Sequence, residues 1–292
     1  MNGRTDKWID RTAAAAFAVA LGISVLWGQH SRTLHEDGAG RAGAAGAMRT
    51  SGYEKAGTAA QNGGDEWQED PGFPVPDDAQ KKVLAEIMEH MENQELEKAA
   101  EVMDKEAQLL QNLFYEVMEG ERYLYDGRKF NQVIEGEGMV LTMSGTLYYG
   151  TFVNGKPEGS CTAIQVVELD APRYDYSQGQ WKNGKMEGEG HTGYCYYESS
   201  PEGEARDVCK TGAFSQDLLD GAVTYTTMNE EGAASAWKLT VEKGVVRLDD
   251  RWSYSEEKGE YQLMSEDNDS HAYIMGEELA GEPLWKNLLV WE

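Results

Sequence analysis

The fold of this chain is decided by the stretch Tyr149-Gly150-Thr151-Phe152-Val153-Asn154-Gly155-Lys156-Pro157-Glu158-Gly159, which recurs in altered form as Ser177-Gln178-Gly179-Gln180-Trp181-Lys182-Asn183-Gly184-Lys185-Met186-Glu187-Gly188-Glu189-Gly190. Each copy places an aromatic residue two positions after a glycine, and an Asn-Gly pair that begins two positions after the aromatic residue. Asn-Gly between short apolar runs favours a hairpin with a type I′ turn, because both central residues of that turn need positive φ. A motif repeated in this way indicates a repeat protein built of β-hairpins.

The turn position determines which residues face each other in each predicted hairpin. The expected pairs are Val153 with Lys156, Phe152 with Pro157, Gly150 with Gly159, Trp181 with Met186, and Gly179 with Gly188. Two opposed glycines leave a notch without side chains, and an aromatic ring from the adjoining hairpin can pack into it.

Two weaker copies flank this pair. The upstream copy pairs Gly127 with Gly136 around a turn at Asn131-Gln132, and Gly138 completes it. The downstream copy pairs Gly212 with Gly221 around Gln216-Asp217, with Phe214 in the aromatic position.

These residues resemble the MORN repeat, whose core reads Tyr-x-Gly-x-Trp-x-x-Gly-x-x-x-Gly-x-Gly. The matching residues are Gly179, Trp181, Gly184, Gly188 and Gly190 in the second copy, and Gly150, Phe152, Gly155 and Gly159 in the first. Ser177 replaces the leading Tyr of the second copy, and Cys161 replaces the last Gly of the first. The resemblance covers residues 121–225. It implies a single-layer antiparallel meander of stacked hairpins, and binding or scaffolding rather than catalysis.

The first 33 residues differ in composition from the rest of the chain. Arg4, Lys7 and Arg11 precede an uncharged, Ala-rich run over residues 12–28, which as a helix would be about 26 Å long and within the range that spans a bilayer core. This predicts an uncleaved transmembrane signal anchor over residues 1–33, with a cleaved signal peptide as the alternative. The basic cluster places the N-terminus in the cytoplasm and the bulk of the chain outside the cell. We expect a bacterial single-pass membrane protein.

Two segments separate this anchor from the repeats. Residues 34–76, rich in Gly and Ala and ending in three prolines, predict a disordered tether. Residues 77–120 carry apolar stripes at helical spacing after the capping residue Asp77, interrupted at Asn93. They predict a helical hairpin that caps the first strand layer. Within it, residues 93–105 resemble the second helix of a tetratricopeptide unit, and a long coiled coil is the alternative.

The C-terminal residues 226–292 are predicted to be divergent β structure. Residues 237–241 and 245–248 predict two strands around Glu242-Lys243-Gly244. We expect this region to close the exposed edge of the repeat sheet, as solenoids require for solubility.

Charge excludes one class of partner. The net charge is −26, although residues 1–33 contain four basic and two acidic residues. Nucleic acid is therefore not an expected partner, because phosphate binding needs a basic face. The same acidity disfavours anionic lipid headgroups.

Catalytic patterns are missing from the sequence. It contains no Gly-x-Ser-x-Gly elbow and no phosphate-binding loop. On a strand, His191 and Cys195 would lie about 13 Å apart, too far to share a metal ion. We expect no catalytic residue, no cofactor and no metal site.

Aromatic residues on successive strands offer a binding surface. Tyr149 and Phe152 point to opposite faces of one strand, so a sheet with a single buried face leaves one row of rings exposed. The predicted ligand strip consists of Tyr149, Tyr174, Tyr176, Tyr194 and Tyr196. The alternative is that these rings pack between repeats.

The three cysteines leave at least one thiol unpaired. Cys161 occupies a glycine position and is expected to be a buried structural thiol. A connection centred on Glu202 would set Cys195 opposite Cys209, near enough for a disulfide. Two reduced core thiols are the alternative.

The sequence thus predicts a mainly β repeat protein at a cell membrane that binds or scaffolds a protein partner and is not an enzyme. One alternative is carbohydrate or cell-wall binding through the tyrosine strip. Others are an accessory domain of an enzyme and a lipid-binding module.

Overall fold

The structure is a computed structural model and describes residues 74–167, 171–197, 199–256, 259–265, 268, 270–274 and 281–292. The predicted anchor and most of the predicted tether lie outside the described residues. Among the residues described, no helix combines the length and the apolar composition needed to cross a membrane.

A small helical layer precedes the sheet. It comprises α1 (Asp78–Glu92), α2 (Leu96–Lys105) and α3 (Ala107–Asn112), which continues into a π-helical turn over Leu113–Val117. Asp77 precedes α1 and forms a capping box with Gln80. The Asp77 carboxylate accepts from the Gln80 backbone N–H at 2.8 Å, and the Gln80 side-chain oxygen accepts from the Asp77 backbone N–H at 2.8 Å. The predicted break at Asn93 is confirmed, because α1 ends at Glu92 and Gln94 has a φ of +58°.

An eleven-stranded antiparallel sheet forms the body of the molecule, and its strands follow chain order from β3 to β11. The strands are β1 (Leu124–Tyr125), β2 (Phe130–Asn131), β3 (Gly136–Leu141), β4 (Leu147–Val153), β5 (Lys156–Val167), β6 (Arg173–Lys182), β7 (Lys185–Tyr196), β8 (Asp207–Ser215), β9 (Leu218–Met228), β10 (Ala234–Glu242) and β11 (Val245–Arg247). A separate three-stranded sheet contains β12 (Ser253–Ser255), β13 (Glu260–Met264) and β14 (His271–Ile274). The predicted mainly β meander is confirmed.

The predicted hairpin turns at Asn154-Gly155, Asn183-Gly184 and Gln216-Asp217 are confirmed. Both residues of each turn have positive φ, as a type I′ turn requires. Lys243-Gly244 forms a further turn of this kind between β10 and β11, at φ of +49° and +78°. The strands predicted at residues 237–241 and 245–248 therefore extend the same sheet.

Residue pairing agrees with prediction close to the turns and departs from it further away. The confirmed pairs are Val153 with Lys156, Phe152 with Pro157, and Trp181 with Met186. The predicted glycine pairs are wrong, and the observed pairs are Gly150 with Cys161, Gly179 with Gly190, and Gly212 with Val223. The reason is a β-bulge in each hairpin, which places extra residues in the second strand. Gly159, Gly188 and Gly221, the predicted partners, lie in these bulges with φ of +74°, +105° and +106°.

The upstream copy also differs from prediction. Gly127 lies in the loop between β1 and β2, whereas Gly136 begins β3 and pairs with Phe152. Asn131 pairs with Leu124 and is part of a strand rather than a turn. Gly138 pairs with Gly150, so the glycine row of the repeats does extend to this strand.

Each face of the sheet packs against another layer over at least part of its area, which corrects the assumption of one buried face. The face that carries Leu147, Ile164 and Tyr176, here called the helix face, packs against α1 to α3 in one core. The opposite face, which carries Tyr148, Trp181 and Phe214 and is here called the tail face, packs against C-terminal residues in a second core. The two covers come from outside the repeats, so the alternation within each strand could not reveal them.

Part of the C-terminal region covers the edge of the repeat sheet, as predicted, because β10 pairs with β9 and β11 with β10. The residues that follow cover the tail face, which was not predicted. Leu263 and Ile274 of the small sheet join the core of Trp237. Further on, the Trp291 ring lies 4.8 Å from that of Tyr148, whose hydroxyl donates to the Val290 carbonyl at 2.8 Å. The described residues between 226 and 292 therefore complete the hydrophobic core of the hairpins.

Candidate binding cleft

The helical layer covers only part of the helix face, and a cleft opens where it stops. α2 packs on β5 and β6, whereas β7 to β9 present His191, Cys209, Thr211 and Thr226 beyond it, all half-buried or exposed. The cleft has a volume of about 660 Å³. Its lining consists of Gln94, Glu95, Leu96, Glu97, Lys98 and Glu101 from the helical side and Tyr174, Tyr176, His191 and Asp207 from the sheet.

Two tyrosines of β6 form the floor of the cleft. Tyr174 and Tyr176 are two residues apart and so point to the same face, with their ring centroids 5.9 Å apart. Tyr176 pairs with Gly193 of β7, which has no side chain, and its ring meets that of His191 edge-on at 5.9 Å. A Cβ at Gly193 would clash with the Val208 carbonyl oxygen. This glycine therefore allows β7 and β8 to approach closely beneath the cleft.

Most of the charges on the helical wall are already paired. The Glu95 carboxylate contacts Lys98 Nζ at 2.7 Å and His90 Nδ1 at 2.9 Å, and these hydrogen bonds lower the pKa of Glu95. Arg206 Nη2 lies 3.2 Å from Glu97 Oε1. Among the described residues, neither Glu101 nor Asp207 takes part in an ion pair.

Burial changes the titration of Asp207 and His191, two of the sheet residues in the cleft. Desolvation raises the pKa of Asp207, the neighbouring Arg206 opposes that rise, and Glu97 adds to it. Desolvation lowers the pKa of His191, which favours its neutral form near neutral pH.

The start of α2 contributes hydrogen-bond donors to the cleft. No side chain caps this helix, so its first backbone N–H groups have no partner within the helix.

The predicted tyrosine strip is divided between the two faces, and the idea of one exposed strip is wrong. Tyr174 and Tyr176 lie on the helix face at 7% exposure, and half-buried Tyr149 lies on that face near Glu92. Tyr194 and Tyr196 belong to the tail face. There the Arg173 guanidinium lies 4.3 Å from the Tyr194 ring centroid and contacts the Asp175 carboxylate at 3.1 Å. These two tyrosines surround a buried ion pair.

The predicted opposition of two cysteines is also wrong. Cys209 pairs with Gly193, and Cys195 pairs with Asp207. The connection is centred on Pro201, one residue from the predicted Glu202, which moves the partner of Cys195 by two residues, and all three cysteines are free thiols. Cys161 is buried as expected, and burial raises its pKa to about 12.

The predicted repeat residues are structural. The glycines lie in turns, bulges and the row of close strand contacts, while Phe152, Trp181 and Phe214 are buried in the core of the tail face. Sequence reasoning missed Gly193, Glu101 and Asp207. Gly193 carried a usable signal, a glycine within a strand, which marks a close backbone approach.

Comparison with known families agrees with the repeat pattern. The MORN repeat family model matches residues 148–164 and 178–194, which correspond to parts of the β4–β5 and β6–β7 hairpins. No curated protein matches the chain. MORN repeats suggest a repeat module for binding or scaffolding. The chain therefore carries two recognisable MORN repeats within a longer antiparallel meander.

Proposed function

We propose that this protein is a non-enzymatic module that binds or scaffolds a protein partner at a membrane surface, and that the cleft beside α2 is its binding site. The observation that carries the proposal is the incomplete helical cover of the helix face. The sheet forms the floor of this site and α2 forms its wall. The strands beyond β6, which α2 does not cover, offer further surface to a partner.

Protein is favoured over carbohydrate because of how the tyrosines are placed. Stacking on a sugar needs the flat face of an exposed ring, whereas Tyr174, Tyr176 and Tyr196 are each at most 7% exposed. The cleft instead offers carboxylates, ring edges and uncapped helix N–H groups. Such groups suit the mixed apolar and polar surface of a polypeptide.

Membrane display belongs to the same proposal and is supported by the apolar run at residues 12–28 after a basic cluster. Protease added to intact cells should then remove the whole repeat region and leave only the N-terminal segment. Recovery of a mature soluble form that starts near residue 29 would contradict the anchor but not the binding role.

The binding role is tested by photo-crosslinking in the native cell. A photoreactive residue at Thr211, exposed on β8 next to the cleft, should trap a distinct protein. The matched control places the same residue at Glu86, exposed on α1 and outside the cleft. Identical crosslinked products from both positions would contradict the proposed site.

A further inference from the structure

We propose that the cleft selects a cationic segment of its partner, with a Lys or Arg side chain held between Glu101 of α2 and Asp207 of β8. This inference rests on the proposed function and adds the chemistry of the partner to it. Both carboxylates line the cleft together with the two tyrosines, one carboxylate from the helix and one from the sheet.

Charge accounting at the cleft supports a cation. Four acidic residues line it, against Lys98 and a histidine. Lys98 already pairs with Glu95, and the nearby Arg206 pairs with Glu97. The remaining carboxylates, Glu101 and Asp207, are therefore available to a positive group supplied by a ligand.

The protonation of His191 and Asp207 on the sheet side favours the same ligand. His191 tends to be neutral because desolvation lowers its pKa, so it does not repel a cation near neutral pH. Desolvation raises the pKa of Asp207 although the charge of Arg206 opposes the rise, and Asp207 forms no ion pair among the described residues. A ligand cation would compensate that unfavourable burial, because an opposite charge nearby favours the ionised carboxylate.

The floor and the helix start suit the rest of a peptide. Tyr174 and Tyr176 offer ring edges against which the aliphatic part of Lys or Arg can pack. The uncapped N–H groups at the start of α2 can donate to the carbonyl oxygens of a peptide backbone. The cleft thus has partners for both the charge and the main chain of a basic segment.

The test is a selection of random 12-residue peptides displayed on phage against the immobilised full-length chain. We expect the enriched peptides to carry net positive charge. The affinity of the most enriched peptide, measured by fluorescence anisotropy, should fall about fivefold in the double variant Glu101→Gln with Asp207→Asn. It should also fall as salt concentration rises, because salt screens exposed ion pairs.

The matched control is Glu86→Gln with Glu89→Gln, which removes the same net charge from exposed positions of α1 outside the cleft. It should leave affinity within about twofold, since distant exposed charges are screened. Thermal melts of both variants check that each is folded. Enrichment of neutral or acidic peptides, equal weakening in both variants, or no enrichment would each overturn the inference. The crosslinking test at Thr211 judges the binding role separately.

Discussion

At the scale of single residues, a carboxylate links each of the four two-residue turns with positive φ to the hairpin before it. The backbone N–H of the first turn residue donates to an acidic side chain of the preceding unit, from Asn154 to Glu135 at 2.7 Å, Asn183 to Glu158 at 2.7 Å, Gln216 to Glu187 at 2.9 Å, and Lys243 to Asp220 at 3.1 Å. Each acidic residue directly precedes a glycine of positive φ. Part of the acidity of the chain therefore stabilises turns.

Replacing Glu187 with Ala should lower the melting temperature near neutral pH, because the Gln216 N–H loses its acceptor. The bond to this backbone N–H lowers the pKa of Glu187 below its ordinary value of 4.5. A lowered pKa means that the stabilisation is present above pH 4.5 and is lost as pH falls through the folded-state value. Melts recorded from pH 7 down to about pH 3 should show parent and variant converge.

The control for this prediction is Glu189→Ala on the same strand. Glu189 is exposed and does not line the turn, so its loss should change the melting temperature little at any pH. A Glu189 variant that matches the Glu187 variant would show that the effect is general charge removal and not the bond to the turn.

At the scale of elements, the glycines divide into two structural roles. A row across the tail face brings strands close together, and Met186 packs over it: a Cβ at Gly179 would lie 2.5 Å from Gly190 Cα, 2.7 Å from Glu189 O and 3.2 Å from Met186 Cε. A turn glycine such as Gly155, with φ of +76°, has nothing within 4 Å of a Cβ. The first role is steric, with a positive φ of +156° at Gly179 in addition, and the second is conformational alone.

Gly179→Ala should therefore destabilise more than Gly155→Ala. The Gly179 variant forces a side chain against backbone atoms that cannot move aside, and we expect a loss of about 3 kcal/mol. In the Gly155 variant the only cost is that of placing Ala in the left-handed conformation, and we expect a loss of about 1–2 kcal/mol. Urea denaturation compares the free energies of unfolding, and equal losses would contradict the observed pairing of Gly179 with Gly190.

At the scale of the whole molecule, the C-terminal residues act as part of the repeat core. Asn287 is buried at 1% exposure, donates to Asp217 Oδ1 at 2.8 Å and accepts from Leu289 N at 3.0 Å. The Asp217 carboxylate also accepts from Met186 N at 3.0 Å. A buried polar network thus fixes the tail to the turn of the β8–β9 hairpin.

In the C-terminal segment, we expect the buried side chains to contribute to the free energy of unfolding and the exposed ones to contribute little. Leu289→Ala, at 4% exposure, should cost about 2–4 kcal/mol because it leaves a cavity under the tail. Its neighbour Val290 is 50% exposed, and Val290→Ala should change stability by no more than about 0.5 kcal/mol. Calorimetry on both variants checks this difference, and a similar small effect in both would mean that the tail is not packed as described.

Local patterns in the sequence were sufficient for the hairpins. Asn-Gly sets positive φ at two successive residues, and the aromatic and glycine spacing sets the strands on either side, so the turns, the nearest pairs and the antiparallel meander could all be predicted. The break at Asn93 and the cap at Asp77 were equally local. The bulges were not predicted, because a glycine within a predicted strand is compatible with two positions. It can pair with a residue on the next strand, or it can lie in a bulge that accommodates an extra residue.

Only the tertiary structure decided what covers each face, and so where the cleft lies. Period-two alternation shows that a strand has two faces but does not say which distant segment will bury either of them. Here α1 to α3 cover part of the helix face, and β13, β14 and residues 281–292 cover the tail face, through contacts between segments far apart in the chain. The cleft exists because the helical layer is narrower than the sheet beneath it, a difference in size that appears only once both elements are packed together.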